Sequence, residues 1–136
     1  LTGVQLEVGS IATDFEHRTF AQELALCQRY YYRHAEGADH VPIGMGSAYT
    51  STIHIGIVHF PCKMRANPTI DAASASNYYR EIANGSTSNA ANFVMEDANS
   101  TCCGFRVTGG SSITQGTAIY NRLGNASSYV AFNAEL

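Results

Sequence analysis

The stretch STIHIGIVHF, from Ser51 to Phe60, decides the fold class of this chain. Its isoleucines occupy alternate positions on one side of an extended segment, and Val58 and Phe60 lie on the other side. Because both faces are partly apolar, this strand should lie in the centre of a sheet or be covered by a partner subunit. The stretch therefore predicts a β-rich domain.

Short predicted strands and turns continue on the C-terminal side at regular spacing. Pro61 and Pro68 bracket a short segment of the kind found at sheet edges. Asn84-Gly85 and Gly124-Asn125 are typical turn pairs. Further strands are predicted at residues 69–73, 78–83, 92–96, 103–108, 116–122 and 129–136. This spacing predicts a mainly β domain, an antiparallel sandwich or jelly roll.

One N-terminal helix is predicted, over residues 19–33. Thr19 is a favourable N-cap, and Gln22 stands three residues later as in a capping box. An apolar stripe at helical spacing follows. Its members are Phe20, Leu24, Cys27 and Tyr31. The alternative for the last turns is an extended conformation, because the triple tyrosine at 30–32 has a strong β propensity.

The first eighteen residues are predicted to lie outside the main domain. Val4, Leu6 and Val8 alternate with polar residues, which predicts a strand over residues 1–9. We expect this strand to complete a preceding domain, with residues 10–18 as a linker. The alternative is pairing within the present domain. The predicted division is therefore 1–18 and a head domain over 19–136.

Composition disfavours several classes of partner. Charged residues make up 14% of the chain, the net charge is −3, and no segment concentrates Lys or Arg. Nucleic acid and anionic membranes are therefore poor partners, and no apolar run is long enough to insert into a bilayer. The four cysteines form no C-x-x-C pair, and two of them are the neighbours Cys102 and Cys103. This favours reduced thiols rather than a zinc site or disulfides.

No catalytic constellation is recognisable in the sequence. His54 and His59 are five residues apart on one strand, so they should point to opposite faces and cannot share a metal. His34, Asp39 and His40 cluster near a loop, where exposed polarity is a better interpretation than metal binding. Glu81, Glu96 and Asp97 form no evident pair of catalytic carboxylates. There is no nucleophile elbow, phosphate loop or dinucleotide motif. We expect neither an enzyme nor a cofactor.

Aromatic and amide side chains remain as candidates for ligand binding. Aromatic faces stack on sugar rings, while Asn and Arg hydrogen-bond to sugar hydroxyls. Tyrosines packed in the core, with polar neighbours, are the alternative for each position. The candidate glycan-binding residues are Tyr49, Tyr78, Tyr79, Arg80, Tyr120, Asn121 and Arg122.

Both ends of the chain resemble one family. The stretches are GVQLEVGSIATDFEHR at 3–18, ELALCQRYY at 23–31, FPCKMRANPT at 60–69 and YVAFNAEL at 129–136. They are similar to the C-terminal domain of tail-fibre and minor structural proteins of tailed phages, including many marine phages and cyanophages. Residues 71–128 carry no such resemblance. In that family the first stretch resembles the last strand of a preceding β-sandwich.

The resemblance implies a virion protein, assembled in the host cytoplasm as a homotrimer and in contact with other virion proteins. Phe20, Leu24 and Tyr31 would then pack near the three-fold axis. The expected function is a receptor-binding head that attaches to host surface polysaccharide or lipopolysaccharide. The alternative is a capsid decoration or head-fibre protein with a purely structural role. A polysaccharide depolymerase is disfavoured, because such tailspikes usually need a long β-helix.

Overall fold

The computed structural model describes residues 4–11, 13–15, 17–37, 39–73, 75, 77–109 and 112–135. Within them the chain forms one α-helix and nine β-strands in two antiparallel sheets. In chain order these are α1 (Phe20–Gln28), β1 (Tyr31–Glu36), β2 (Pro42–Ala48), β3 (Ile53–His59), β4 (Thr69–Ala72), β5 (Tyr79–Ala83), β6 (Ser86–Ala98), β7 (Cys102–Gly109), β8 (Ala118–Leu123) and β9 (Tyr129–Asn133). The predicted fold class, mainly β with one N-terminal helix, is confirmed.

The strands divide into a small sheet and a closed one. In the small sheet β9 lies between β1 and β4. The remaining strands follow the order β2-β3-β7-β6-β5-β8, and β8 also pairs with β2, so this sheet closes into a barrel. Closure pairs every strand of this sheet on both sides. The two antiparallel layers expected from the sequence are therefore present, with the larger one rolled up.

One apolar cluster joins the two sheets. Phe132 on β9 is fully buried and packs against Phe60, with 5.0 Å between the ring centroids. The rings of Phe93 on β6 and Phe105 on β7 stack at 4.9 Å. All four side chains belong to the same buried cluster. The small sheet and the barrel thus share one hydrophobic core, whose burial is the main favourable term in folding.

Strand β3 carries the apolar stretch that predicted the fold. It pairs with β2 on one side and with β7 on the other. His54 and Val58 are buried, whereas Ile55, Ile57 and His59 are exposed. The central position expected for this strand is confirmed, and the two histidines lie on opposite faces as their spacing predicted.

Helix α1 begins where the sequence predicted and ends earlier. Thr19 Oγ1 accepts a hydrogen bond from the Gln22 amide at 3.3 Å, and the Thr19 amide donates to Gln22 Oε1 at 2.8 Å, which completes the capping box. The predicted end near residue 33 is wrong, because the helix stops at Gln28. Tyr31 and Tyr32 instead pair with β9. The β propensity of the tyrosine run is realised.

The predicted strand over residues 1–9 is not formed in the part of the chain that the structure describes. Residues 4–8 have no strand partner, and residues 1–3 lie outside the described residues. Glu7 instead accepts hydrogen bonds of 2.6 Å from the Thr13 amide and hydroxyl, and these bonds lower the pKa of its carboxyl group. The side chain of Leu6 is 99% exposed. The apolar residues of this segment therefore have no cover within the described chain.

Other strand predictions need smaller corrections. The predicted short strand at 92–96 belongs to the much longer β6, which is interrupted by bulges near Ala90 and Glu96. Strands β1 and β2 had no specific prediction. The strands predicted at 69–73, 78–83 and 103–108 agree with β4, β5 and β7 within one residue at each end.

The described cysteines are free. Within the described residues there is also no helical segment with the length and hydropathy of a membrane span.

Candidate functional site

Three connecting segments lie together at one end of the barrel. They are residues 49–52 between β2 and β3, the turn 84–85 between β5 and β6, and the described residues 112–117 between β7 and β8. The register requires this arrangement, because Ile53 lies opposite Thr108 and Ala118 lies opposite Ser47. We call these three segments the loop end. Loops held by a rigid scaffold are common locations for binding sites.

Backbone hydrogen bonds hold the loop end in place. The Ile113 amide donates to the Ser51 carbonyl at 2.8 Å, and the Gly116 amide donates to the Ala48 carbonyl at 2.9 Å. Within the first loop, the Tyr49 amide donates to the Ile53 carbonyl at 2.8 Å. Main-chain groups therefore carry the loop geometry, which leaves most of the loop side chains available to solvent.

Ile113 closes the barrel beneath these loops. It is buried in a small apolar cluster of its own. The other members of that cluster are Ala48, Ala83 and Ile119. Burial of this side chain anchors the loop between β7 and β8 over the barrel mouth and contributes about 1.5–3 kcal/mol to stability. The loop end is therefore a closed, packed surface.

Two depressions adjoin each other on this surface. The first, of about 540 Å³, is lined by Tyr49 to Ser51 and by Ser112 to Gln115. The second, of about 280 Å³, is lined by Ala83, Asn84, Ser86 to Ser88, Ser112 and Ile113. Ser112 and Ile113 border both. The shared border makes one continuous surface that could receive an extended ligand.

The described residues that line the loop end carry no charged side chain. Its described lining residues include hydroxyl and amide side chains but no Asp, Glu, Lys, Arg or His. Tyr49 is the aromatic residue of this lining, and it is 59% exposed. The hydroxyl of Thr50 accepts from the Ile53 amide at 3.0 Å, so it still has a proton to donate. Such a surface can offer one stacking face and many neutral hydrogen bonds.

A buried polar group supports the loop end from inside the barrel. His54 Nδ1 lies 2.8 Å from Glu81 Oε2, and both side chains are inaccessible to solvent. Ser88, which lines the second depression, donates to Glu81 Oε1 at 2.5 Å. Asn121 is buried opposite Glu81 in the register of β5 and β8. We call His54, Glu81, Ser88 and Asn121 the polar core. The sequence had given Glu81 no specific role.

Glycine at position 109 makes the close packing around the polar core possible. A Cβ atom added to Gly109 would collide with His54 Cε1 and would lie 2.5 Å from Glu81 Oε2. The Gly109 amide donates to the Thr52 carbonyl at 2.8 Å. The end of β7 therefore lies against the polar core and is tied to the first loop, so the polar core and the loops form one structural unit.

The predicted glycan-binding residues do not come together. Tyr49 lies at the loop end. Tyr79 is 2% exposed, and its hydroxyl donates to the carbonyls of Ala73 at 2.5 Å and Tyr129 at 3.1 Å. Burial raises the pKa of Tyr79. Asn121 is likewise buried in the polar core. The assignments of Tyr79 and Asn121 are therefore wrong, because neither side chain can reach a ligand in solvent.

The remaining candidates lie on or near the outer face of β5 and β8. Arg80 and Arg122 are opposite each other in the register, and Tyr120 follows on the same face. An ion pair of 3.2 Å joins Arg80 to Asp39. Tyr78 is half-buried and packs against the main core. This outer face is a second, charged surface that is separate from the loop end.

The loop cluster with weak metal character does not form a site. His34 Nε2 contacts the Ile43 carbonyl at 2.6 Å, and its Nδ1 lies 3.2 Å from the Tyr32 hydroxyl. His40 instead lies 3.5 Å from Asp39. Across the described ranges, no group of three or more His, Cys, Asp or Glu side chains is placed to hold a metal ion.

The predicted interface residues are accessible to solvent. Phe20 on α1 is 82% exposed, and Leu24 is also exposed. The hydroxyl of Tyr31 on β1 donates to Asp71 Oδ2 at 2.9 Å. The pKa of this phenol is raised mainly by burial and, to a smaller extent, by this hydrogen bond. No residue of α1 is buried. The helix thus presents an apolar surface without a partner in the described chain.

The described chain defines a class only at the level of architecture. It is an antiparallel β domain with a six-stranded closed sheet, a three-stranded second sheet and one exposed helix. Comparison with protein-family models, with curated proteins and with solved structures gives no match to this chain.

Proposed function

We propose that this chain is the receptor-binding head of a phage tail fibre and attaches the virion to a glycan on the host surface. The observation that carries the glycan part is the loop end, where exposed Tyr49 stands among hydroxyl and amide side chains. Aromatic faces stack on sugar rings, and neutral polar groups exchange hydrogen bonds with sugar hydroxyls. The resemblance of both chain ends to tail-fibre proteins supports the virion context.

Binding without catalysis is part of this proposal. Glu81 is buried against His54. The loop-end lining contributes no carboxylate among its described residues, whereas hydrolysis of a glycosidic bond usually uses two. A head that only binds retains the virion at the cell surface without degrading its receptor.

The homotrimer belongs to the same proposal. Leu6, Val8 and Phe20 expose apolar side chains that isolated soluble domains normally cover. A three-fold arrangement of copies, or contact with other virion proteins, would bury them. Light scattering of the purified chain should give the mass of three copies, and a monomeric mass would contradict this part alone.

An adsorption competition tests the receptor-binding function. The purified chain, incubated with host cells, should reduce adsorption of the phage whose fibre carries it. The Tyr49→Ala variant should lose this effect, because it removes the exposed stacking face at the loop end. Tyr120→Ala is the matched control, since that tyrosine lies on the separate outer face. Full competition by Tyr49→Ala would refute the assignment of the loop end.

A purely structural role, as a capsid decoration or head-fibre protein, is the second candidate. It is favoured by the exposed apolar strip on the outer face of β2 and β3, formed by Met45, Ile55 and Ile57. Such a strip suits a permanent protein contact. Binding of the purified chain to emptied capsids, without binding to host cells, would support this candidate over the first.

A further inference from the structure

The part of the chain that builds the loop end is free of ionisable groups other than tyrosine. The three stretches are residues 41–53, 82–95 and 107–121, none of which contains Asp, Glu, Lys, Arg, His or Cys. They are separate in sequence. The first two belong to the β2–β3 and β5–β6 hairpins, and the third connects β7 to β8, which are not paired with each other. The fold thus brings the connecting segments of three uncharged stretches together at the loop end.

Charge is present elsewhere on the described chain. Arg80 and Arg122 lie on the outer face of β5 and β8, and Arg106 forms an ion pair of 2.6 Å with Glu96. The polar core beneath the loops contains Glu81, but this carboxylate is buried and bonded to Ser88. The surface that the loop end exposes to solvent is therefore polar but uncharged.

An anionic ligand would bind weakly to this surface. A carboxylate, sulfate or phosphate group loses hydration when it binds, and a cationic side chain usually offsets that cost. No Lys or Arg lines either depression among the described residues. Neutral sugar hydroxyls, by contrast, are matched by the exposed hydroxyl and amide groups of Ser51, Thr114 and Gln115.

We infer that the loop end selects neutral glycans, built of uncharged hexose or N-acetylhexosamine units, and discriminates against acidic polysaccharides. This inference rests on the proposed function, since it names the ligand class of the same site. Tyr49 supplies the stacking face. The neighbouring hydroxyl and amide groups supply the hydrogen bonds. Acidic groups of a surface polysaccharide would remain outside the contact.

A glycan array carrying neutral and acidic bacterial polysaccharides tests the inference with the full chain. Bound glycans should be neutral, and their affinity should stay constant between about 0.05 and 0.5 M NaCl, because no charge pair is formed. Tyr49→Ala should weaken the affinity by about ten-fold or more. Arg122→Ala, on the outer face, should bind like the unaltered chain.

The possible failures are distinguishable. Salt-sensitive binding to acidic glycans that is lost in Arg122→Ala and kept in Tyr49→Ala would overturn the selection of neutral glycans and leave the receptor-binding function standing. Binding to no glycan on the array, together with failure to compete with phage adsorption, would overturn both. Circular dichroism and melting temperature identify any variant that loses binding because it fails to fold.

Discussion

Alanine at Gly56 should destabilise the fold, whereas alanine at Gly44, which faces the same aromatic ring, should not. A Cβ atom at Gly56 would collide with Phe105 Cζ and lie 2.6 Å from the Met45 carbonyl oxygen. A Cβ atom at Gly44 would instead lie 3.5 Å from Phe105 Cε1, an ordinary contact. Phe105 cannot easily yield, because it is buried and stacked on Phe93. We therefore predict clearly different effects on stability for the two alanine substitutions.

Known costs set the size of the difference. Overpacking a tight core costs about 1–3 kcal/mol. Replacing a strand glycine by alanine in an unstrained position gains about 0.5–1 kcal/mol. Gly56→Ala should therefore lower the free energy of unfolding by about 1–2 kcal/mol, and Gly44→Ala should leave it unchanged or slightly raised. The corresponding separation in melting temperature is about 5 °C or more.

Urea unfolding followed by circular dichroism measures both free energies. A third variant, Gly56→Ala with Phe105→Leu, tests the cause. Because the smaller side chain frees space, the double substitution should cost less than the sum of the two single substitutions. Equal stability of Gly56→Ala and Gly44→Ala, or strict additivity in the double variant, would refute this account of packing around Phe105.

Three further predictions concern the interior and the helix. Glu81→Gln should destabilise the fold by about 1–3 kcal/mol, measured by urea unfolding, because it disturbs the buried polar contacts of Glu81 with His54 and Ser88. Burial raises the pKa of the Cys103 thiol to about 11, so at pH 8 a maleimide should label exposed Cys27 and spare Cys103 in mass spectra. The raised pKa also has a stability consequence: the contribution of Cys103 is fully present below pH 9.0 and is lost as the pH rises toward about 11. Thr19→Ala should cost about 0.5–2 kcal/mol through loss of the N-cap, and unchanged unfolding of this variant would contradict the role of the capping box.

The start of the helix was predictable and its end was not. The capping box is a local signal, contained in Thr19 and Gln22. The end depends on β1, which pairs with β9 about a hundred residues later in the chain. Such non-local pairing leaves no mark within the helical stripe itself. The β propensity of the tyrosine run at 30–32 was the one feature of the sequence that indicated an earlier end of the helix.

The direction of each side chain determined which of the predicted glycan-binding residues can reach a ligand in solvent. Asn121 alternates with Ile119 and Leu123, both of which are fully buried, so the period of two along β8 already placed it on the inner face. The same period places Glu81 inside with Tyr79. Tyr49 escaped this constraint because it lies in a loop. The closure of the barrel, which determines how deep these inner faces lie, follows from pairing between β2 and β8 and was not visible in the sequence.

At the loop end, the groups that maintain the fold are different from the exposed side chains that we propose for ligand recognition. Main-chain hydrogen bonds hold its loops, and Ile113 anchors them from below. The polar core and Gly109 fix the strand ends on which the loops stand. Exposed side chains such as Ser51 and Thr114 therefore carry little of the folding energy. Under the proposed function, substitution there should change which neutral glycan is bound at small cost in stability, which is the property a receptor-binding head needs when its receptor changes.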